Sequence, residues 1–353
     1  MWQTIGHAKI IDLLQRAISQ GSLSHAYLLA GPAQVGKMTL ARDLAMTLNC
    51  GEQPEQRPCG QCSSCNKILE GKHADVQIVA LNQNTEAEDT KERTEIGIDQ
   101  IKDVLHSASL PPFEGKYRVY IIDEAGLLSM EAANCLLKTL EEPSAKVVFI
   151  LLSSNPGRIP VTVISRCQRL NLAPAKTSEI ESILINRWNI EPAKARLLAR
   201  LSHGSPGWAI EVSQKANWLQ ERNEKFEKML AVIKSNYSER FAFAAQLAQQ
   251  FAKKREGVYE TLDTWAGWWR DILLVKTGCL DDITNLDYRP GLDGMAGAYS
   301  LAQIRDILYY LQTAGEQLKL NANARLTLES LMLNIPKPAI NKLEKPQVEV
   351  KHA

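Results

Sequence analysis

Residues 25–39, HAYLLAGPAQVGKMT, decide the fold of the first part of the chain. A mostly apolar run leads into a loop bounded by Gly31 and Gly36, and a helix-forming run begins at Lys37. At this spacing, successive backbone N–H groups can surround a phosphate, the helix N-terminus adds a partial positive charge, and the lysine adds a full one. The stretch therefore predicts a strand, a phosphate-binding P-loop and a helix. The alternative is a glycine-containing turn without a ligand.

One position departs from the P-loop pattern. The pattern requires Ser or Thr directly after the lysine, because that hydroxyl binds the Mg²⁺ that bridges the nucleotide phosphates. This chain has Met38 there, and a thioether has little affinity for a hard cation. Thr39 points about 100° away around the helix and does not replace the missing group. The predicted nucleotide-binding residues are Gly31, Gly36, Lys37, Met38 and Thr39. The sequence predicts that ATP and Mg²⁺ bind weakly or not at all.

Composition limits the classes of protein to which the chain can belong. Its 353 residues predict two or three domains, and a net charge of +1 with 23% charged residues gives no overall basic surface for nucleic acid. The sequence has neither an export signal nor an apolar run of membrane-spanning length. We therefore expect a cytoplasmic protein without membrane contact, whose seven cysteines are thiols or metal ligands.

Four of these cysteines are close together in the sequence. Cys50, Cys59, Cys62 and Cys65 form a C-x8-C-x2-C-x2-C pattern in a polar segment with Pro and Gly. Four thiolates at such spacing are typical of a tetrahedral Zn²⁺ site made of cysteine sulfur alone. Because no position is left open for a substrate, the pattern predicts a structural zinc ion. The alternative is a set of unconnected free cysteines.

Further strands complete the first domain. An apolar run at residues 118–122 ends in Asp123 and Glu124, which in P-loop proteins contact the metal and polarise the attacking water. The strand predicted at 146–152 is followed by polar residues 153–155 that could sense a γ-phosphate. Repeated strand–helix units with polar residues at the strand ends predict a doubly wound parallel sheet. Arg166 closes this domain, and its alternative role is a structural salt bridge.

The remainder of the chain has helical periodicity and no long strand pattern beyond Lys176. A polar break is predicted at residues 280–297, and the last residues, from 336, read as a disordered tail. A Trp-rich stretch at 262–275 could stack on bases, but at helical spacing it is more typical of a core or of an interface with a partner helix.

Several motifs occur in one order along the chain: HAY at 25–27, the P-loop, the four-cysteine segment, IGID at 96–99, IDEA at 122–125, NCLLKTLEEP at 134–143 and SRC at 165–167. In this order they resemble the AAA+ clamp-loader subunits of bacterial DNA polymerase III. Residues 274–278 and 321–326 resemble the collar domain of the same family. The resemblance extends over residues 1–335.

This resemblance implies an α/β plus all-α architecture. It consists of an AAA+ P-loop domain at 1–173 with the zinc insert at 50–65, a helical lid at 174–214, a helical collar at 215–335 and a disordered tail at 336–353. It also implies a pentameric ring with gamma/tau and delta subunits, which opens the sliding clamp and places it on primed DNA. In such rings each arginine finger contacts the ATP of the neighbouring subunit. Arg166 would act there in trans, and Asp123 and Glu124 would be vestigial.

Two types of subunit share these motifs, the hydrolysing gamma/tau motor and delta prime. Met38, Gln34 in place of a common glycine, and Pro206 to Trp208 in place of the motor's sensor arginine favour delta prime. The end of the chain after the collar points the same way, and no polymerase site is expected. A gamma-type ATPase is the alternative within the family. Outside it, the alternatives are a free-standing P-loop NTPase and a zinc-dependent DNA-binding protein.

Overall fold

A computed structural model of the protein describes residues 2–81 and 95–336. The polar segment 82–94 and residues 337–353 of the predicted tail lie outside the described residues. The chain divides into two compact units, each discontinuous in sequence. The first consists of Met1–Asn189 and Ser202–Ile210, and the second of Ile190–Leu201 and Glu211–Ala353. The domain boundaries given above are not tested by this division and stay predictions.

The first unit contains a five-stranded sheet. Its strands are β1 (Ala26–Ala30), β2 (Val76–Val79), β3 (Arg118–Ile122), β4 (Val147–Ser153) and β5 (Gln168–Asn171). The spatial order is β2-β3-β4-β1-β5, and all pairs are parallel. Tyr27 in β1 lies opposite Ile150 in β4 and Gln168 in β5. The predicted parallel sheet is confirmed, and all five strands end at the same edge.

Helices cover both faces of this sheet. They are α1 (Ala8–Ser19), α2 (Lys37–Asn49), α3 (Ser63–Leu69), α4 (Ile98–Ala108), α5 (Met130–Glu141) and α6 (Val161–Ile164), and α7 (Thr177–Trp188) follows the last strand. Tyr27 and Leu29 belong to the core formed with α1, α2 and α3, whereas Ala26 and Leu28 belong to the core formed with α4, α5 and α6. Successive strand residues point to opposite faces, so β1 is buried on both sides. The sheet is therefore doubly wound.

The remaining helices are α8 (Pro192–Leu201), α9 (Pro206–Ser213), α10 (Trp218–Lys234), α11 (Tyr237–Lys253), α12 (Arg255–Thr277), α13 (Arg289–Ala298), α14 (Leu301–Lys319) and α15 (Ala324–Asn334). Beyond β5, the described residues contain no strand, as predicted. Two of these helices begin with a capping box, formed by Asn236 and Glu239 at α11 and by Ser300 and Gln303 at α14. None of the described helices combines the length and hydrophobicity that crossing a membrane requires.

The core of the second unit contains the tryptophans of α12. Trp265, Trp268 and Trp269 are at most 2% exposed, so these rings belong to the core and cannot stack on bases. The helix α13 lies within the predicted polar break, despite its glycines. It forms because Leu292 and Met295 bury one face of the helix, and this tertiary contact outweighs the poor helix propensity of glycine.

Arg240 in α11 is fully buried and joins the C-terminal ends of two helices. Its guanidinium donates to the carbonyls of Val232 and Ile233 in α10, and to those of Met332 and Ile335 at the end of α15. The last carbonyls of a helix have no partner within that helix, and they carry partial negative charge. One cation therefore satisfies four acceptors, and burial lowers its pKa.

We expect Arg240→Ala to lower the free energy of unfolding of the second unit by about 3 kcal/mol, because it leaves buried carbonyls without donors. Urea unfolding followed by tryptophan fluorescence measures this change. The matched control is Arg305→Ala, since the Arg305 side chain is 76% exposed and pairs only with its neighbour Asp306. Equal midpoints for the two variants would contradict the role given to Arg240.

Candidate nucleotide site, metal centre and finger arginine

The P-loop connects β1 to α2 in the predicted conformation. Gly36, directly before α2, has a φ of 108° and Gln34 has a φ of 57°. Positive φ suits glycine, and a side chain there costs about 1–2 kcal/mol. Gln34 therefore occupies a strained position where the family resemblance implies a common glycine.

The side chain of Lys37 turns back into its own loop. Its ammonium donates to the carbonyls of Gly31 and Pro32, each at 2.7 Å, and to the hydroxyl of Ser154 at 3.1 Å. An ammonium has three N–H donors, so all three have partners within the protein. A phosphate can bind Lys37 only by displacing at least one of them.

Ser154 connects Lys37 to Glu124. The serine hydroxyl donates to one carboxylate oxygen of Glu124 at 2.6 Å, and its backbone N–H donates to the other at 3.3 Å. This contact exists because β4 lies between β1 and β3 in the sheet. Ser154, which follows β4, therefore lies between Lys37 and Glu124 and contacts both. The structure thus brings together Lys37, Glu124 and the polar residue predicted at the tip of β4.

Burial and charge act on the ionisable groups of this site. Burial lowers the pKa of Lys37, and the negative charges of Glu124 and Asp123 oppose that shift. Burial and the neighbouring Glu124 raise the pKa of Asp123, against the stabilising effect of the Glu124 N–H and Lys37. Asp123 also accepts a hydrogen bond from the Glu124 backbone N–H at 3.1 Å. Asp123 and Glu124 are therefore already engaged by hydrogen bonds within the chain.

Neither Met38 nor Thr39, which follow Lys37, places a hydroxyl where the P-loop pattern requires a metal ligand. Met38 is half-buried and packs against the core that contains β1, α1 and α2. Thr39 is the next residue of α2 and is also half-buried. The packing of Met38 explains how a thioether is accommodated in the first turn of the helix.

Two further segments of the same unit contact the P-loop. The backbone N–H of Gly207 donates to the carbonyl of Gln34 at 3.0 Å, and the hydroxyl of Ser205 donates to that of Ala33 at 3.1 Å. A Cβ atom at position 207 would lie 2.9 Å from the Gln34 carbonyl oxygen, so this approach requires glycine. Near the N-terminus, the Nε2 atom of His7 lies 3.3 Å from the carbonyl oxygen of Val35 in the loop. These contacts hold the backbone of the loop at Ala33 and Gln34, while the side chains of both residues remain exposed.

Arg166 lies away from these residues. It precedes β5 by two positions, near the start of the strands, whereas the P-loop follows the end of β1. At about 3.3 Å per residue the two levels are roughly 15 Å apart along the sheet. The guanidinium donates to the carbonyl of Thr162 at 2.8 Å and pairs with Glu141 at 2.5 Å. The structure therefore separates Arg166 from this chain's own nucleotide site.

The four predicted cysteines converge at the end of α2 and the start of α3. Their sulfur atoms all lie within 4.8 Å of one another, and the Cys50–Cys62 and Cys59–Cys65 sulfur distances are both 3.9 Å. A tetrahedral site with metal–sulfur bonds of about 2.3 Å has sulfurs about 3.8 Å apart. The donor set therefore fits a metal ion. Cys135 and Cys167 pack against a different core, and Cys279 is exposed.

The polypeptide around the cluster favours the thiolate form of Cys62 and opposes that of Cys65. Burial opposes ionisation of Cys62, but hydrogen bonds from the backbone of Gly51 and Cys65 and from neighbouring thiols outweigh it and lower its pKa to about 6. Burial and the charge of the neighbouring cysteines raise the pKa of Cys65. The Cys59 sulfur also accepts backbone hydrogen bonds from Gln61 and Cys62. A bound cation would remove the repulsion between these thiolates.

Comparison with known proteins agrees with this geometry. A family model described as "DNA polymerase III, delta subunit" matches residues 6–176, and one described as "DNA polymerase III, delta subunit, C terminal" matches residues 216–337. DNA polymerase III subunit gamma of Buchnera aphidicola subsp. Acyrthosiphon pisum is 30% identical, over 76% of this chain and 73% of the relative. The chain belongs to the DNA polymerase III clamp-loader subunit family. The predicted family and its AAA+ fold are confirmed.

Relatives of two subunit types, delta' and tau, match this chain over different lengths. DNA polymerase III subunit delta' of Bacillus subtilis is 29% identical over 92% of this chain and 94% of the relative, in agreement with the predicted delta prime type. Subunit tau of the same organism is 29% identical over 82% of this chain. The chain spans 51% of that relative and 32% of tau from Salmonella typhimurium and Escherichia coli.

Sequence reasoning missed the contacts that cover the P-loop. It singled out residues 204–208 only for the absence of an arginine, whereas the structure has Ser205 and Gly207 hydrogen-bonded to the loop itself. A glycine beside a proline gives no signal of a distant partner. The roles of Arg166, of the nucleotide-binding residues and of Asp123 and Glu124 stay predictions.

We expect Met38→Thr to strengthen Mg²⁺-dependent binding of an ATP analogue roughly tenfold, equivalent to about 1.4 kcal/mol, because it supplies the missing hydroxyl. Isothermal titration with Mg²⁺ and with EDTA measures the metal-dependent part. Met38→Leu is the matched control, as it keeps an apolar side chain without a hydroxyl. Equal gains for Thr and Leu would show that packing, rather than metal ligation, limits binding.

Proposed function

We propose that this chain is the delta prime component of a DNA polymerase III clamp loader. In this role it joins gamma/tau and delta subunits in a pentameric ring that loads the sliding clamp onto primed DNA. Its own ATPase is weak or absent, and Arg166 serves the ATP site of a neighbouring subunit. The match with delta', which extends over nearly the full length of both chains, supports this assignment.

The observation that carries the proposal is the position of Arg166 at the end of the sheet opposite to its own P-loop. All strands are parallel and β5 lies at the edge of the sheet formed by the described residues. An arginine at the start of an edge strand is accessible to a second molecule, but it cannot extend the roughly 15 Å along the strands to the end of β1. A finger at this place can act only in trans.

The chemistry of the side chain supports the same role. A guanidinium is planar and always charged, so it can spread positive charge over the oxygens of a transferring phosphoryl group. In the free chain the Arg166 and Glu141 side chains are 33% and 50% exposed. An exposed ion pair of this kind contributes about 1 kcal/mol or less. Arg166 can therefore exchange its ion pair with Glu141 for a contact with a neighbour's phosphate at a small cost in free energy.

We expect Arg166→Ala to leave the chain folded and able to join the ring, and to lower ATP hydrolysis at the adjacent site on the order of 10³-fold or more. The measurement uses reconstituted rings in which only the motor subunit next to this chain keeps its P-loop lysine. DNA- and clamp-stimulated hydrolysis is compared between rings with wild-type and variant chains, after sizing confirms assembly.

The matched control is Glu141→Gln, which removes the intramolecular partner of Arg166. A finger that acts in trans predicts undiminished hydrolysis for this variant. If Arg166 instead had a structural role through the ion pair, Glu141→Gln and Arg166→Ala would lower hydrolysis alike. Undiminished hydrolysis with Arg166→Ala in assembled rings would refute the finger role.

We also propose that the four-cysteine cluster holds a structural Zn²⁺ ion. All four donors are sulfur, which is typical of structural zinc, and no position is left for water or substrate. Cys50 and Cys65 are fully buried, while the segment between Cys50 and Cys59 is largely exposed and has few buried side chains. A metal would supply the folding energy that this segment lacks.

Metal analysis of the purified chain should give one zinc per molecule. Cys62→Ser should remove most of it, because oxygen is a poorer ligand for zinc than thiolate and the remaining three sulfurs leave an open site. Cys279→Ser is the control, since that cysteine is exposed and distant in sequence from the cluster. Zinc well below one per chain in the unaltered protein would refute the proposal.

The second candidate function is a gamma-type ATPase, and the retained contact between Lys37, Ser154 and Glu124 favours it. Steady turnover of ATP by the isolated chain at roughly 1 per second or faster would support this alternative and the free-standing NTPase as well. Negligible turnover supports delta prime.

A further inference from the structure

The loop between α4 and β3 is held by two buried side chains. Five successive backbone N–H groups, at residues 113–117, donate to side-chain oxygens. The carboxylate of Asp75 accepts the first three at 2.7, 2.8 and 2.7 Å. The amide oxygen of Asn49 accepts the last two at 2.8 and 2.9 Å, and its nitrogen donates to the Tyr117 carbonyl. We refer to residues 113–117 as the clamped loop.

The side chains of Asp75 and Asn49 are both buried, which suits them to hold the backbone of the clamped loop. Asp75 is 3% exposed and Asn49 is 5% exposed, so these hydrogen bonds have little competition from water. Burial opposes ionisation of Asp75, but the three N–H donors and Arg118 outweigh it and lower its pKa. The conformation of the loop therefore depends on where these two side chains are placed.

Asn49 is adjacent to the four-cysteine cluster in the sequence. It is the last residue of α2 and directly precedes Cys50, one of the four sulfur ligands. The Lys116 ammonium lies 3.4 Å from the Cys50 carbonyl oxygen, to which it donates. The end of α2, the first ligand and the clamped loop are consequently joined by direct hydrogen bonds.

A second connection runs through α3, the helix that carries Cys65. Lys67 in this helix pairs with Glu114 of the clamped loop, and Glu114 also accepts from the backbone N–H of Ala74. Ser64 in the same helix contacts the Nε2 atom of His73 at 3.0 Å, and the Nδ1 atom of that ring accepts from the backbone N–H of Asp75. The Nε2 atom therefore carries the proton and donates to Ser64, so this pair does not activate the serine as a nucleophile.

The clamped loop presents a large apolar side chain to solvent. Phe113 is 83% exposed although its backbone is fixed, and Leu110, just before it, is 50% exposed. The position of an exposed aromatic ring thus depends on contacts that lead to the cysteine cluster on two sides.

We propose that metal binding at the four-cysteine cluster sets the conformation of the clamped loop, through Asn49 on one side and Lys67 on the other. This inference rests on the proposal that the cluster binds Zn²⁺. Without metal the ligand segments at Cys50 and Cys65 lose their common attachment, so both connections loosen. Asp75 lies outside the metal segment and keeps three of the five amides.

This arrangement predicts a graded response. Lys116 and Tyr117, whose N–H groups depend on Asn49 alone, should lose the most protection from hydrogen exchange when metal is removed. Phe113 to Gly115 should lose less, because Asp75 remains as their acceptor. Strand β4, which is buried throughout, should not change.

The test is hydrogen exchange of the full chain, with zinc bound, after removal by a chelator, and after Zn²⁺ is added back. We expect the exchange rates of Lys116 and Tyr117 to rise at least about tenfold without metal and to return with it. Metal analysis of each sample separates the two proposals: a chain that never holds zinc refutes the zinc site. A chain that binds zinc with no change at residues 113–117 refutes the coupling. Loss of protection in β4 as well would also overturn it, since it would mean unfolding of the whole sheet.

A pair of variants tests the α3 connection without removing the metal. Lys67→Met should raise exchange at Glu114 while the zinc content stays at one per chain. Lys72→Met is the matched control, because Lys72 pairs with Glu70 at the surface and does not contact the clamped loop. Equal exchange at Glu114 in the two variants would contradict a role for Lys67.

Discussion

The parallel hydrogen bonding of β1 between β4 and β5 is the constraint on which the arrangement of the functional residues depends. Parallel pairing brings the ends of all strands to one edge, so Lys37, Glu124 and Ser154 meet although they follow three different strands. The same constraint places Arg166, which precedes β5, at the other end. A chain with this topology keeps the lysine of its P-loop and its proposed finger apart, which suits the proposed role beside a neighbouring subunit.

The lysine of the candidate nucleotide site is hydrogen-bonded within its own chain. Lys37 has three internal acceptors, Met38 packs against the core, and the Gly207 N–H donates to the Gln34 carbonyl. Each contact is modest by itself, but an incoming nucleotide must replace several together and receives no metal hydroxyl in return. These contacts support the proposal that the chain binds nucleotide weakly or not at all.

Much of the fold was predictable because its signals are local. The P-loop, the buried strands before Asp123 and before residue 153, the spacing of the cysteines and the helical C-terminal part all follow from short patterns. The contacts that organise the sites were not predictable, because they join residues that are far apart in the sequence. Asn49 and Asp75 are single polar residues whose partners lie about 40 to 70 positions away. The helix α13 was missed because burial overrode its composition.

The buried Arg240 makes the order of synthesis matter. Its acceptor at Ile335 lies 95 residues later in the chain, so the contact cannot form until nearly all of the second unit has left the ribosome. At roughly 5–20 residues per second this delay is roughly 5–20 s. During that time Arg240 and the tryptophans of α12 have no complete core, whereas the sheet of the first unit already has all its strands. The apolar side chains of the nascent second unit therefore stay exposed longer than those of the sheet.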